Sequence, residues 1–163
     1  GKIEKITIIA EDINYKDLLF DEFGLEANDL KINFKLTNKQ LSFINNPIIK
    51  FNISLSKNSL RTVLLSDNWN WIGNMICMKI LNKEKLEDIE IKNDQLIMKA
   101  SDKNITINQR EKIDIKTKKG KVYLEDKSYK KTIRIPIEDK IYIENIYIEN
   151  NIINIFANSP ISF

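Results

Sequence analysis

Between residues 3 and 10 apolar positions alternate, with Ile6, Ile8 and Ala10 on one side and Lys5, Thr7 and Ile9 on the other. A period of two marks a strand. A second apolar stretch holds Leu18, Phe20 and Phe23 and breaks at Gly24. Alternation resumes from Leu25 to Leu36, with Leu30, Ile32, Phe34 and Leu36 sharing a face. Asn38-Lys39 reads as a turn into Leu41 and Phe43, Pro47 interrupts that run, and Ile49, Phe51, Ile53 and Leu55 return to the inward face.

The period then changes. Ser56 is a good N-cap, and Leu60, Val63 and Leu64 follow at helical spacing. Ser66-Asp67-Asn68 offers a second cap or a kink, and Trp69, Ile72, Met75, Ile76 and Ile80 continue at helical offsets. The spacing predicts one kinked helix, or two abutting ones, over about residues 57 to 82. After Leu86 the period of two returns and persists to Ile155. Turns are expected at Lys92-Asn93-Asp94, Ser101-Asp102-Lys103, Lys118-Lys119-Gly120, Glu138-Asp139 and Asn150-Asn151. Between Ile143 and Ile146 the apolar parity flips, which predicts a bulge at Glu144-Asn145.

A long meander with one apolar face and one amphipathic helix has few stable arrangements. Apolar residues spread around the helix beyond a single stripe, so it expects contact on several sides. The pattern predicts an α+β fold, a strongly curved antiparallel β-meander wrapped around one long kinked helix. Residues 1–163 read as a single domain. Gly1 followed directly by a strand suggests that a native N-terminal helix or leader has been removed.

Composition narrows the chemistry. The 163 residues include no histidine, so Ser-His and Cys-His pairs, a histidine base and a histidine-containing zinc site are all absent. Ile, Asn and Lys number 31, 20 and 23, and their shared AT-rich codons discount the asparagines as a sign of disorder. The single Cys77, among Met75, Ile76, Met78 and Ile80, reads as a buried core thiol. No apolar run approaches the roughly 18 to 20 residues that span a bilayer. The compartment stays open: membrane-peripheral, cytoplasmic or periplasmic. Carboxylates at Asp12, Asp17, Asp21, Glu22, Glu87, Asp88 and Glu90 select no acid-base pair by spacing, and no catalytic residue, cofactor or metal site is assigned. The strings Asn52-Ile53-Ser54 and Asn104-Ile105-Thr106 match glycosylation acceptors at a rate chance would give.

Several strings resemble the bacterial LmeA-like family. From Lys2 to Asn33 the residues Ile6, Ile8, Ala10, Asp12, Ile13, Tyr15, Leu18, Phe20 and Leu25 match its opening strand pair. Leu41, Phe43, Pro47, Ile49, Phe51, Ile53, Leu55, Ser56, Leu60 and Leu64 match a strand and the helix start Leu-Thr-x-x-x-Leu-Asn-x-x-Leu, with Arg61 where Asn is common. Ile135-Pro136-Ile137 and the spacing to Ile155 resemble its closing strand and hairpin. The resemblance covers nearly the whole chain and rests on apolar spacing and a few prolines. It implies a fold similar to tubular lipid-binding folds, a further N-terminal helix, and a lipid as ligand.

Two sets of residues carry that expectation. Leu60, Leu64, Trp69, Trp71, Ile72, Met75, Ile76 and Ile80 would line an apolar groove beside the helix; the plainer reading is core packing. From Arg110 to Arg134 ten basic residues face four acidic ones, a local net charge of +6. Lys116, Lys118, Lys119 and Lys121 at the hairpin tip would meet an anionic membrane surface, the plainer reading being a solvated edge. Nucleic acid is disfavoured, since the chain has only three arginines. The expected function is a noncatalytic lipid-binding or membrane-peripheral protein. Its rivals are a carboxylate-dependent hydrolase of lipid or glycan and a structural or protein-interaction domain.

Overall fold

The computed structural model describes residues 1–35, 37, 40–102, 105–126, 128 and 130–161, and of residues 40, 41 and 105–109 the backbone alone. The expectations placed on Leu36, Asn38-Lys39, Lys103 and Asn104, and the side chain of Leu41, lie outside the described residues. Among the described residues eleven strands form two antiparallel sheets. The first contains β1 (Lys2–Tyr15), β2 (Leu18–Lys35), β3 (Gln40–Phe43), β4 (Ile48–Ser56), β10 (Tyr142–Glu149) and β11 (Ile152–Pro160). Its order is β1-β2-β4-β11-β10, with β3 on β2. The second is a meander of β5 (Lys85–Lys92), β6 (Gln95–Asp102), β7 (Ile105–Lys118), β8 (Lys121–Asp126) and β9 (Lys131–Arg134).

Tight turns set the hairpin registers. At Lys16-Asp17, Asn93-Asp94, Lys119-Gly120 and Asn150-Asn151 both central residues have positive φ, the two-residue geometry that matches strand twist. Gly120 (φ 72°) is needed twice over, because a Cβ there would lie 2.2 Å from the Tyr142 ring. The bulge expected from the parity flip is present, as a register shift between Ile143 and Asn145.

The expectation of one long central helix inside a single wrapped meander is corrected. Among the described residues strands make up 65% and helices 14%, so the fold is mostly β rather than α+β. The helical stretch is divided into α1 (Lys57–Leu65), α2 (Asn70–Ile76) and a π-helical turn (Cys77–Leu81). Ser66 divides it. Its backbone is extended (φ −71°, ψ 156°), and its hydroxyl donates to the Val63 carbonyl at 2.8 Å, taking a bond that a continuing helix would keep for the chain. Asn70 N–H then donates to the Ser66 carbonyl at 2.8 Å and starts α2. Left-handed Asn82 (φ 54°) ends the π turn. The meander is divided by Pro136, which lacks an N–H and ends the ladder just past β9. The chain then crosses back, and β11 pairs with β4 from Ile152↔Ser56 to Pro160↔Ile48.

The helices and the inner face of the second sheet share one core. Ile76, Cys77, Ile80 and Leu81 pack with Leu86, Ile89, Met98 and Ile113, and Ile153 joins from the first sheet. Beyond the helices the sheets meet directly, Val122 of β8 lying with Ile143 of β10 and Ala157 of β11. At one end two turns clasp: Asp94 N–H donates to Asn151 Oδ1 (3.1 Å), and Asn151 N–H donates to Asp94 Oδ1 (2.7 Å).

Asp21 of β2 fixes the start of α1. The Ser56 N–H donates to its Oδ2 (2.5 Å) and the Ser56 hydroxyl to its Oδ1 (2.8 Å), while Ser59 N–H donates to Ser56 Oγ. Partial burial pushes the Asp21 carboxyl up, but the Ser56 N–H and the Ser56 and Ser59 hydroxyls outweigh it and hold the group below its ordinary 3.8. A depressed folded value means the stabilisation is complete above the unfolded value and fades as pH falls through the folded one. Asp21→Ala should therefore cost about 1–2 kcal/mol at pH 7 in urea unfolding. The gap from the parent should narrow by about pH 2; an unchanged gap would show that the carboxylate charge plays no part.

Candidate functional site

Register places the inner face of the first sheet in continuous cross-strand rows. One row runs Ile143, Ala157, Phe51, Leu25, Ile8 from β10 to β1. The next runs Ile146, Ile155, Ile53, Phe23, Ala10. Every member is apolar, yet the cover over them is uneven. In the first row Ile143 and Ala157 are 4% and 2% exposed, Phe51 and Leu25 are half-buried, and Ile8 is 50% exposed. The second sheet packs on β10, and on β11 at Ile153 and Ala157, α1 reaches β2 and β4, and cover thins toward β1. A partly covered apolar face, the trough over β1, β2 and β4, results, about 10 Å across three strands and about 13 Å along them from Ile6 to Ala10; Ile8 is exposed on it, while Ala27, across from Ile6 and Ile49, is buried.

Residues expected to line a groove beside the helix are placed differently from one another. Leu64, Ile76 and Ile80 lie in the core, with Leu60, Ile72 and Met75 partly buried against it. Trp69 donates its indole N–H to the Lys16 carbonyl (2.8 Å), and Asn68 donates to Asp17 Oδ2 (2.7 Å), so this corner latches the β1–β2 turn. Trp71 is 49% exposed. The residues over β1, β2 and β4 were legible as strand faces; the missed signal is that four apolar strands precede the helical stretch, more surface than two short helices can cover.

The basic hairpin separates into two pairs. Lys116 is ion-paired with Glu125. Lys121 is bound to Asp139 (3.2 Å) and donates to the Glu138 and Asp139 carbonyls, with its side chain only 16% exposed. Lys121 and Arg134 together hold the Asp139 carboxyl below its ordinary value. Lys118 and Lys119 are exposed and, with Thr117, Tyr123 and Thr132, line an open depression of about 560 Å³. This tip abuts the covered end of the first row, where Ile143 N–H donates to the Gly120 carbonyl (3.0 Å). Lys127, counted in the same patch, lies outside the described residues.

Two further depressions lie on the outer face of the first sheet. One, of about 290 Å³, is bounded by Ile9, Lys50, Asn52 and Phe156 above Gly24, and Tyr147 stacks on Phe156 with ring centres 6.1 Å apart. Asn52 fills the place of a side chain at Gly24, where a Cβ would sit 2.1 Å from its Oδ1. The other, of about 490 Å³, gathers Glu11, Asp12, Asp21, Glu22 and Glu149. Asp21 is held ionised by Ser56 and is poorly suited to give up a proton in acid catalysis. Among the described residues no group of three or more His, Cys, Asp or Glu is placed to hold a metal ion, and no helix is long and apolar enough to cross a membrane.

Compared with known proteins, the chain matches no family model, no curated protein and no solved structure. None of these comparisons bears on the resemblance to the LmeA-like family.

Cys77 has no solvent exposure, and burial pushes its thiol up to about 12. A thiol reagent at neutral pH should leave the folded protein unlabelled and modify it fully in denaturant. Rapid labelling without denaturant would show that the core opens around the π turn.

Proposed function

We propose that this protein is a noncatalytic lipid-binding protein that holds an acyl chain on the trough over β1, β2 and β4 and meets anionic membrane surfaces through its Lys118-Lys119 tip. The graded row from Ile143 to Ile8 carries the reading: an apolar sheet face covered at one edge and open at the other. Each methylene taken from water onto such a face contributes about 0.8 kcal/mol, so hydrocarbon is the ligand it rewards. The site lies on the sheet rather than along the helix, whose apolar side is committed to the core. Lys118 and Lys119 lie at the covered edge of the sheet, apart from the trough, so they would meet the membrane surface rather than the headgroup of a lipid held on β1, β2 and β4, and the LmeA-like resemblance implies the same class of ligand.

The test pairs two variants with lipid extraction and vesicle binding. Leu25→Lys, on the half-buried part of the row, should abolish copurification of lipid seen by mass spectrometry while keeping the fold. Lys118→Gln with Lys119→Gln should weaken binding to phosphatidylserine vesicles by about 2 kcal/mol, roughly 30-fold. Added salt should weaken the parent in the same direction. Lipid retained by the Leu25 variant, or equal binding to phosphatidylcholine and phosphatidylserine vesicles, would overturn the respective half of the reading.

A further inference from the structure

We infer that β1 pairs antiparallel with β1 of a second copy of this chain, about a two-fold axis through Ile8. The strand is the edge of its sheet and spans 14 residues, from Lys2 to Tyr15. No proline interrupts it, and isoleucine is exposed on both of its faces, Ile8 at 50% and Ile9 at 69%. Edges of this kind template pairing unless they are short, bulged or blocked.

Backbone direction shows which groups are offered. The Gly1 amine donates to the Ile32 carbonyl (2.6 Å) and the Ile32 N–H donates to the Gly1 carbonyl (2.8 Å), a pair exchanging both bonds. The β1–β2 register holds without a shift from Lys2↔Lys31 to Tyr15↔Leu18. Alternate residues therefore bond inward: Ile3, Lys5, Thr7, Ile9 and Glu11 face β2 with their backbone groups. The backbone groups of Lys2, Glu4, Ile6, Ile8 and Ala10 face the free edge.

Charge selects both the occupant and the register. The strand carries Lys2, Glu4 and Lys5 early, net positive, and Glu11 and Asp12 late, net negative, so its antiparallel complement is itself. A two-fold axis at Ile8 sets Ile6 against Ala10 as bonded pairs and Lys5 against Glu11 on the outer face, twice. An axis at Thr7 sets Lys5 and Glu11 against isoleucines and pairs Lys2 only with Asp12, where the extended run has ended, and an axis at Ile9 sets no charge against its opposite. Glu11 lies directly across from Glu22 in its own sheet, a destabilising like-charge pair within the acidic depression shared with Asp21 and Glu149. Lys5, which in its own sheet is ion-paired with Glu26 (2.7 Å), also brings a positive charge to that depression of the second copy. The regular pairing stops before Asp12, whose φ of 51° ends the extended run. Such a two-fold axis keeps the faces in register, so two inner troughs become one continuous apolar surface. The contact uses no ligand and does not depend on lipid binding.

Sedimentation equilibrium of the full chain, free of lipid, should show a monomer–dimer equilibrium. Lys5→Glu and Glu11→Lys should each weaken the dimer roughly tenfold, as expected for two like-charge pairs placed opposite each other. The double variant carrying both changes should restore it. Ile8→Pro should give a monomer with an unchanged circular dichroism spectrum, because its missing N–H points off the sheet. A monomer at every concentration, or a dimer indifferent to the single charge changes, would overturn the proposal, as would failure of the double variant to recover.

Discussion

Pairing of β11 with β4 is the constraint on which the rest of the molecule depends. Nine residue pairs, Ile152↔Ser56 to Pro160↔Ile48, join segments about a hundred positions apart and bring the C-terminal hairpin into the N-terminal sheet. Without them the strands from β5 onward would remain one meander with no reason to return. With them, the chain must cross between sheets after Pro136, and β10 and β11 are held under the second sheet while β1, β2 and β4 are left beyond its edge. One pairing thus builds the core and sets the limit of its cover.

The helices serve that arrangement rather than organise it. They are short, and their apolar side chains fill the space between the sheets at the β5 side, so Ile76, Cys77 and Ile80 meet Leu86, Ile89 and Met98. Asp21 and Ser56 fix where α1 begins, and the Trp69 bond to Lys16 fixes where the β1–β2 turn rests against the helical corner. These contacts hold the turn end of the β1–β2 ribbon, whose apolar rows are half-buried on β2 and β4 and reach solvent at Ile8. A face left open by the packing is the physical basis of the lipid-binding reading, and the free edge of the same ribbon is the basis of self-pairing.

Local chemistry was legible in the sequence. Asn93-Asp94, Asn150-Asn151 and Gly120 after Lys119 are residues that tolerate positive φ between alternating apolar runs, and the chain turns at each of them. The parity flip at Glu144-Asn145 and the apolar setting of Cys77 were equally readable, because each depends on neighbours along the chain. Long-range choices were not. Nothing near Ile152 states that its partner is Ser56, and a pattern at helical spacing does not reveal that Ser66 will turn its hydroxyl back on Val63 and end the helix. The tip lysines were visible as a group, but only the fold shows Lys121 tied to the Glu138-Asp139 turn while Lys118 and Lys119 point outward. The same limit applies to the apolar rows: alternation identified their faces, and cover is a property of the assembled sheets.

Methyl NMR on the isoleucine-labelled protein tests the central claim most directly, since isoleucine occupies both the sheet trough and the helical core. On titration with a lysophospholipid below its micelle concentration, the methyl signals of Ile6, Ile8, Ile49 and Ile53 should shift together and saturate, while those of Ile76 and Ile80 stay in place. Shifts confined to Ile72, Ile76 and Ile80 would return the ligand to the helix, and no saturable shift at any of these methyls would contradict lipid binding on this face.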